Sequence, residues 1–219
     1  MKKTRFLTVL LVLTLLFSLT ACSNGIFTSS TSGDGSSNPG TSASGNSSDY
    51  HTDGKPIVTM EIANYGKVVI ELYPDIAPIT VANFVSLVSE GYYDGNNFHR
   101  LVKGFMLQGG DPTATGMGGS SKTIKGEFAS NGVKNDLKHE AGVISMARSS
   151  NPNSASSQFF IMFEAAPHLD GDYAAFGKVI EGFENIKKIE ANEPQSNRLA
   201  NPIKIVKATV ELNGYVLAD

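Results

Sequence analysis

The stretch Phe98-His99-Arg100-Leu101-Val102-Lys103-Gly104-Phe105-Met106-Leu107-Gln108-Gly109-Gly110-Asp111 decides how the rest of this chain is read. One cation is followed by aromatic, thioether and amide groups at near-alternating spacing. Alternate side chains of an extended segment share a face, so Phe98, Arg100 and Val102 are expected on one side of a strand. Lys103-Gly104 then permits a turn, and a second segment presents Phe105, Met106 and Gln108. Such a surface holds an apolar ring against Phe and Met while Arg and Gln fix the polar atoms of the attached backbone. About fifty residues on, Ser157-Gln158-Phe159-Phe160-Ile161 brings another amide together with an aromatic pair.

Working outward, Ile57–Ile62 and Lys67–Leu72 alternate in polarity around Asn64-Tyr65-Gly66, which predicts a strand pair joined by a glycine turn. Pro78 opens a helical pattern with Val81, Phe84, Val85 and Val88 on one face, and Gly91 closes it. Further strands are expected at 97–102, 105–109, 142–147, 158–163, 173–180 and 203–212, with a second helix near 183–190. Many short strands, turn signals between them and only two helices predict an all-β fold, a closed antiparallel barrel capped by the helices. No internal repeat is visible. Asp111, after two glycines, reads as a strand-end residue that positions the following loop.

These blocks resemble the cyclophilins, the peptidyl-prolyl cis/trans isomerases. The resemblance runs from about Ile57 to about Leu212. It takes in Gly116-Met117-Gly118-Gly119, Gly142-Val143-Ile144-Ser145-Met146-Ala147, and His168-Leu169-Asp170-Gly171 followed by Phe176-Gly177-Lys178-Val179. It implies eight antiparallel strands in the barrel. It also implies a catalytic set of Arg100, Phe105 and Gln108, in which Arg100 is the catalytic arginine and Gln108 bonds the substrate backbone. A proline pocket of Phe105, Met106, Phe160 and Leu169 follows, with a groove for the preceding residue lined by Ala147, Arg148 and Ser149 above Gln158. Taken singly, Phe105, Met106 and Phe160 read equally well as barrel core. His168 and Tyr173 stand in the substrate site where the best-known members carry a tryptophan and a histidine, which implies weaker binding of cyclosporin. Arg148–Asn153 is one residue longer than the common eukaryotic pattern.

The N-terminus carries a different signal. Lys2, Lys3 and Arg5 precede an apolar run from Phe6 to Leu19, the pattern of a secretory signal and too short for a comfortable membrane span. Leu19-Thr20-Ala21-Cys22 resembles a bacterial lipobox, so residues 1–21 are expected to be a lipoprotein signal peptide and Cys22 the lipidated residue. Residues 22–54 are Ser, Thr, Gly, Asn and Asp with few apolar groups, a flexible tether of about 30 Å end to end. Residues 55–219 are expected to form the isomerase domain.

Composition sets exclusions. The 219 residues are 41% hydrophobic, ordinary for a globular protein, and the formal net charge is −3. With no basic stripe, nucleic-acid binding has no electrostatic footing. The single cysteine rules out an internal disulfide and a cysteine zinc site. The four histidines lack metal-ligand spacing, and no nucleophile-elbow sequence accompanies any serine. Gly116–Lys122 is glycine-rich but lacks the ending of a phosphate loop.

The expected function is therefore peptidyl-prolyl isomerisation of exported polypeptides by a cofactor-free, metal-free monomer. It would be extracytoplasmic and lipid-anchored to a bacterial cell membrane, with proline-containing polypeptides as its partners. The alternative is a non-catalytic X-Pro peptide-binding or chaperone module at the cell surface. A solute-binding lipoprotein fits the anchor but not the size or the absence of two α/β lobes.

Overall fold

A computed structural model describes residues 54–217. The expected signal peptide, Cys22 and all but the last residue of the expected tether lie outside the described residues. Eight strands form: β1 (Ile57–Ile62), β2 (Gly66–Leu72), β3 (Asn97–Val102), β4 (Met106–Asp111), β5 (Val143–Met146), β6 (Phe159–Met162), β7 (Ala175–Glu181) and β8 (Ile203–Glu211). They close into an antiparallel barrel in the order β1-β2-β7-β5-β6-β4-β3-β8. The first hairpin turns at Asn64 and Gly66, both with positive φ. Short 3₁₀ turns at Ala129–Asn131 and Pro167–Leu169 carry no signal in the sequence pattern.

Helix α1 (Pro78–Ser89) starts with proline in its first turn, where the missing N–H costs no helical bond. Its buried face includes Val81, Phe84, Val85 and Val88. The Phe84 ring lies 5.1, 5.4 and 5.0 Å from the rings of Tyr93, Phe159 and Phe176, so the helix plugs the barrel with an aromatic cluster. Helix α2 (Phe183–Asn192) buries Ile186 and Ile189 in the same core.

A second apolar cluster lies apart from that core: Met106, Val143, Phe160, Met162, Ala166, Leu169 and Ala175, with Phe105, Ala147 and Tyr173 against it. Strand β6 explains the division. Phe159 and Ile161 join the main core while Phe160 and Met162 face the other way, yet all four are buried. Met106 and Phe160, with Phe105 against them, thus belong to this second cluster and not to the main core.

Strand β3 departs from simple alternation. Phe98 pairs with Gly109 and Arg100 with Gln108, so His99 is an extra residue with no opposite partner. Such a bulge advances the side-chain phase by one. Phe98 and Leu101 therefore join the core, whereas Arg100 and Val102 remain half-buried. The expected sharing of one face by Phe98, Arg100 and Val102 is wrong for this reason. Gly109 completes the fit, since a Cβ there would sit 2.9 Å from the Phe98 ring.

Candidate active site

Strand register assembles the site. Arg100 on β3 pairs with Gln108 on β4, Gln108 with Phe160 on β6, and Phe160 with Ser145 on β5. Directly opposed residues share a face and strands lie about 4.8 Å apart, so these four form one row across the sheet. Gln108 and Phe160, 52 positions apart in sequence, thus become neighbours.

Along this row runs a cleft of about 630 Å³. Phe160 faces it, only 5% exposed, with Met106 and Leu169 beside it. The Tyr173 ring meets Phe160 edge-on at 5.9 Å. Phe105 and His168 stack at 5.6 Å to make another wall. Arg100, Gln108, Ala147 and Arg148 complete the boundary, together with Asp172, which sequence reasoning did not single out. Ser149 and Gln158 are not in this cleft. They line an adjoining one of about 440 Å³, which shares Gln108, Ala147 and Arg148 with the first.

Polar groups are connected in series. Gln158 Nε2 donates to the carbonyls of Gly116 (3.1 Å) and Gly118 (2.7 Å). Gln158 Oε1 accepts from Gln108 Nε2 at 2.8 Å, and Gln108 Oε1 accepts from Arg100 Nη1 at 3.1 Å. Each bond orients the next amide. Arg100 Nε donates to Asn197 Oδ1 at 3.2 Å, a contact no local pattern foretells. The guanidinium is thus held at two corners, and Nη2 makes no hydrogen bond among the described residues.

Behind Phe160 lies a second layer. His139 stacks on it at 6.2 Å and 19°. The His139 Nδ1–Asp170 Oδ1 and Nε2–Ser145 Oγ distances are both 3.0 Å. These partners assign the tautomer, with Nδ1 donating to the carboxylate and Nε2 accepting from the hydroxyl. Burial lowers the His139 pKa despite the opposing pull of Asp170, so the ring is neutral at pH 7. Burial raises the Asp170 carboxyl, but hydrogen bonds from His139 outweigh it and the net shift is downward. Serine, histidine and aspartate do meet here without an elbow sequence. Ser145 is wholly buried, however, so its hydroxyl serves to hold the layer and reaches no substrate carbonyl. Nothing in the local sequence marks this trio, because its members lie up to 31 residues apart.

Chemically, the cleft offers an apolar floor of Met106, Phe160 and Leu169, an arginine with unspent donors at its edge and an amide beside it. No group in it combines a nucleophile with a base. Among the described residues, no three His, Cys, Asp or Glu side chains gather to hold a metal ion.

The sequence profile of the family "Cyclophilin type peptidyl-prolyl cis-trans isomerase/CLD" matches residues 57–210. The peptidyl-prolyl cis-trans isomerase ppi1 of Schizosaccharomyces pombe is 46% identical over 145 residues, covering 65% of this chain and 92% of that protein. CYP18-1 of Arabidopsis thaliana, another peptidyl-prolyl cis-trans isomerase, is 44% identical over 153 residues, covering 68% and 93%. Among solved structures, a cyclophilin type peptidyl-prolyl cis-trans isomerase of Cryptosporidium parvum superposes with a TM-score of 0.65 at 35% identity, covering 72% of this chain and 98% of that one. The same protein in the presence of the dipeptide Ala-Pro gives 0.64 at 37% identity, covering 71% and 98%.

Proposed function

This chain belongs to the cyclophilin-type peptidyl-prolyl cis-trans isomerases, and from that premise we propose that Arg100 drives the rotation in a lipid-anchored protein that serves exported polypeptides. The peptide bond resists rotation by about 18–20 kcal/mol because nitrogen shares its lone pair with the carbonyl. As the bond twists, that conjugation is lost and the lone pair localises on a pyramidal prolyl nitrogen. A donor aimed at the nitrogen therefore binds the twisted amide and not the planar one, which is differential transition-state binding.

The observation that carries this reading is the Arg100 guanidinium, anchored through Nε and Nη1 with Nη2 unspent, at the edge of a cleft faced by Phe160. Phe105, Met106, Phe160 and Leu169 hold the proline ring while the acyl side turns, and Gln108 bonds the substrate backbone. One charged hydrogen bond is worth about 1.5–3 kcal/mol, or roughly ten- to a hundredfold in rate at about 1.4 kcal/mol per decade. The remainder comes from a drier site, which disfavours the more polar planar amide, and from orienting the ring.

The test is catalysed cis/trans exchange measured by NMR. Arg100→Ala lowers exchange by at least about tenfold while affinity for an X-Pro peptide falls much less. Phe105→Ala weakens both, since planar and twisted substrates alike touch that ring. Near-normal exchange in a folded Arg100→Ala protein rejects the arginine mechanism.

Anchoring rests on Cys22 and the signal that precedes it. Once the signal is removed, no remaining segment of the sequence is as apolar, whereas two acyl chains give stable attachment. Cys22→Ser therefore leaves the membrane fraction. Retention after a high-salt wash overturns the anchor. A proline isomerase held there by a tether meets polypeptides as they emerge from export, before their X-Pro bonds have equilibrated.

A further inference from the structure

Arg148 is a cation at the cleft with no charged partner among the described residues. Its guanidinium lies over the Tyr173 ring at 4.6 Å and the Phe128 ring at 5.1 Å. Nε and Nη2 both donate to the carbonyl of Asp172, at 3.1 and 2.9 Å, and Nη1 donates to the carbonyl of Ser149 at 2.9 Å. Every partner is neutral, and Arg148 forms no ion pair among the described residues. Two aromatic faces and three hydrogen bonds fix the charge in place, yet two of its five N–H donors remain. Arg100 likewise makes only neutral contacts.

Position gives this charge a use. Arg148 borders both clefts, and in the second it is the only charged residue among the described ones, beside serines 149, 154 and 156 and the glycines of the facing loop. Asp172 lines the first cleft and not the second. Asp111 stands behind the glycine loop with its carboxylate bonded to that loop's N–H groups. The family resemblance assigns Ala147, Arg148 and Ser149 to the groove for the residue before proline, and on that assignment a peptide whose proline rests on Phe160 extends toward this second cleft at about 3.3 Å per residue. Its preceding side chains therefore come to lie beside Arg148.

We propose that Arg148 makes the enzyme selective for substrates with a glutamate or aspartate at one of the two positions before proline. This rests on the reading of the first cleft as the proline site. A fixed guanidinium pairs with a carboxylate without first losing its own rotamer freedom. Lysine in the same place meets a like charge, and a neutral amide falls between. The protein as a whole is acidic, with formal net charge −3, so the preference is local to the groove and not a property of the surface.

The experiment compares matched peptides bearing Glu, Gln or Lys before proline, each catalysed rate divided by its own uncatalysed rate. For the unaltered chain at low salt, kcat/KM should fall from Glu to Gln to Lys by about two- to fivefold per step, the range of a partly exposed charge pair. The steps should shrink at roughly 0.5 M salt, where screening shortens to a few ångströms. In Arg148→Gln the order collapses whatever the absolute rate, and Arg148→Lys restores part of it. Equal rates for all three peptides overturn the proposal while leaving the isomerase reading intact, and a glutamate preference that survives in Arg148→Gln overturns it too. If no peptide is isomerised, the arginine mechanism fails instead. NMR titration of the same peptides then still reads the preference through affinity.

Discussion

At Asp111 one buried carboxylate gathers the N–H groups of Thr113, Thr115, Gly116 and Gly118 and the hydroxyl of Thr113, at 2.6–3.0 Å. Burial by itself raises the Asp111 pKa, but these donors prevail and hold it at about 2. A depressed carboxyl pKa lends stability that is present above about pH 4 and is lost as pH falls through about 2. Asp111→Asn replaces an acceptor oxygen with a donor facing other donors. It should lower stability at pH 7 by about 2 kcal/mol, and the gap to the unaltered chain should close as pH approaches 2 in urea unfolding curves. The same loop carries the Gly116 and Gly118 carbonyls that orient Gln158, then Gln108, then Arg100. At this scale the sequence was informative about Asp111 itself, since a carboxylate after two glycines at a strand end marks a turn. The chain of amides beyond it was hidden, because each link joins distant segments.

Helix α1 illustrates the element scale. Its extent follows from Pro78, the apolar face and Gly91, but its N-cap is Ala77, which has no side chain able to cap. Glu127 supplies the missing acceptors from 47 residues away, taking hydrogen bonds from Thr80 N and Oγ1 at 2.7 Å each and from Ile79 N at 3.0 Å. A carboxylate also suits the positive end of the helix dipole. Glu127→Ala leaves two helix N–H groups and the Thr80 hydroxyl without an acceptor, and should cost about 2–3 kcal/mol. Glu127→Gln should lose less. A shift of the denaturant midpoint at constant m-value checks both. Strand β3 makes the converse point: its existence was legible as an apolar, β-prone run, whereas its bulge at His99 was not. Alternation in a sequence assumes one residue per pleat, and only the pairing with Gly109 and Gln108 shows where that count slips.

For the whole molecule, two buried histidines set the response to mild acid. Burial lowers the pKa of His99, opposed by Asp111, and lowers that of His139, opposed by Asp170. A histidine whose folded pKa is depressed takes up a proton more readily when unfolded, so stability rises with pH through that window and is lost below about 6.5. Each contributes a slope of at most about 1.4 kcal/mol per pH unit. Melting temperature should accordingly fall between about pH 7 and 5, before the carboxylates titrate. His99→Gln should reduce the slope even if it also lowers the starting stability, and an unchanged slope contradicts the assignment.

By itself the sequence determined which segments are strands and helices, because period and turn residues act locally. It also held the family's motifs, and with them the residues that converge on the cleft. Tertiary structure alone decided that Phe160 faces away from the barrel core although its neighbours Phe159 and Ile161 enter it. It decided that Asn197 steadies Arg100, and that Glu127 caps a helix far from it in sequence. It also brought Ser145, His139 and Asp170 together beneath the site. The physical reason is common to all of these. Register and closure of the barrel join residues with no fixed spacing along the chain, and a hydrogen bond or ring contact between them leaves no periodic trace in either partner's surroundings.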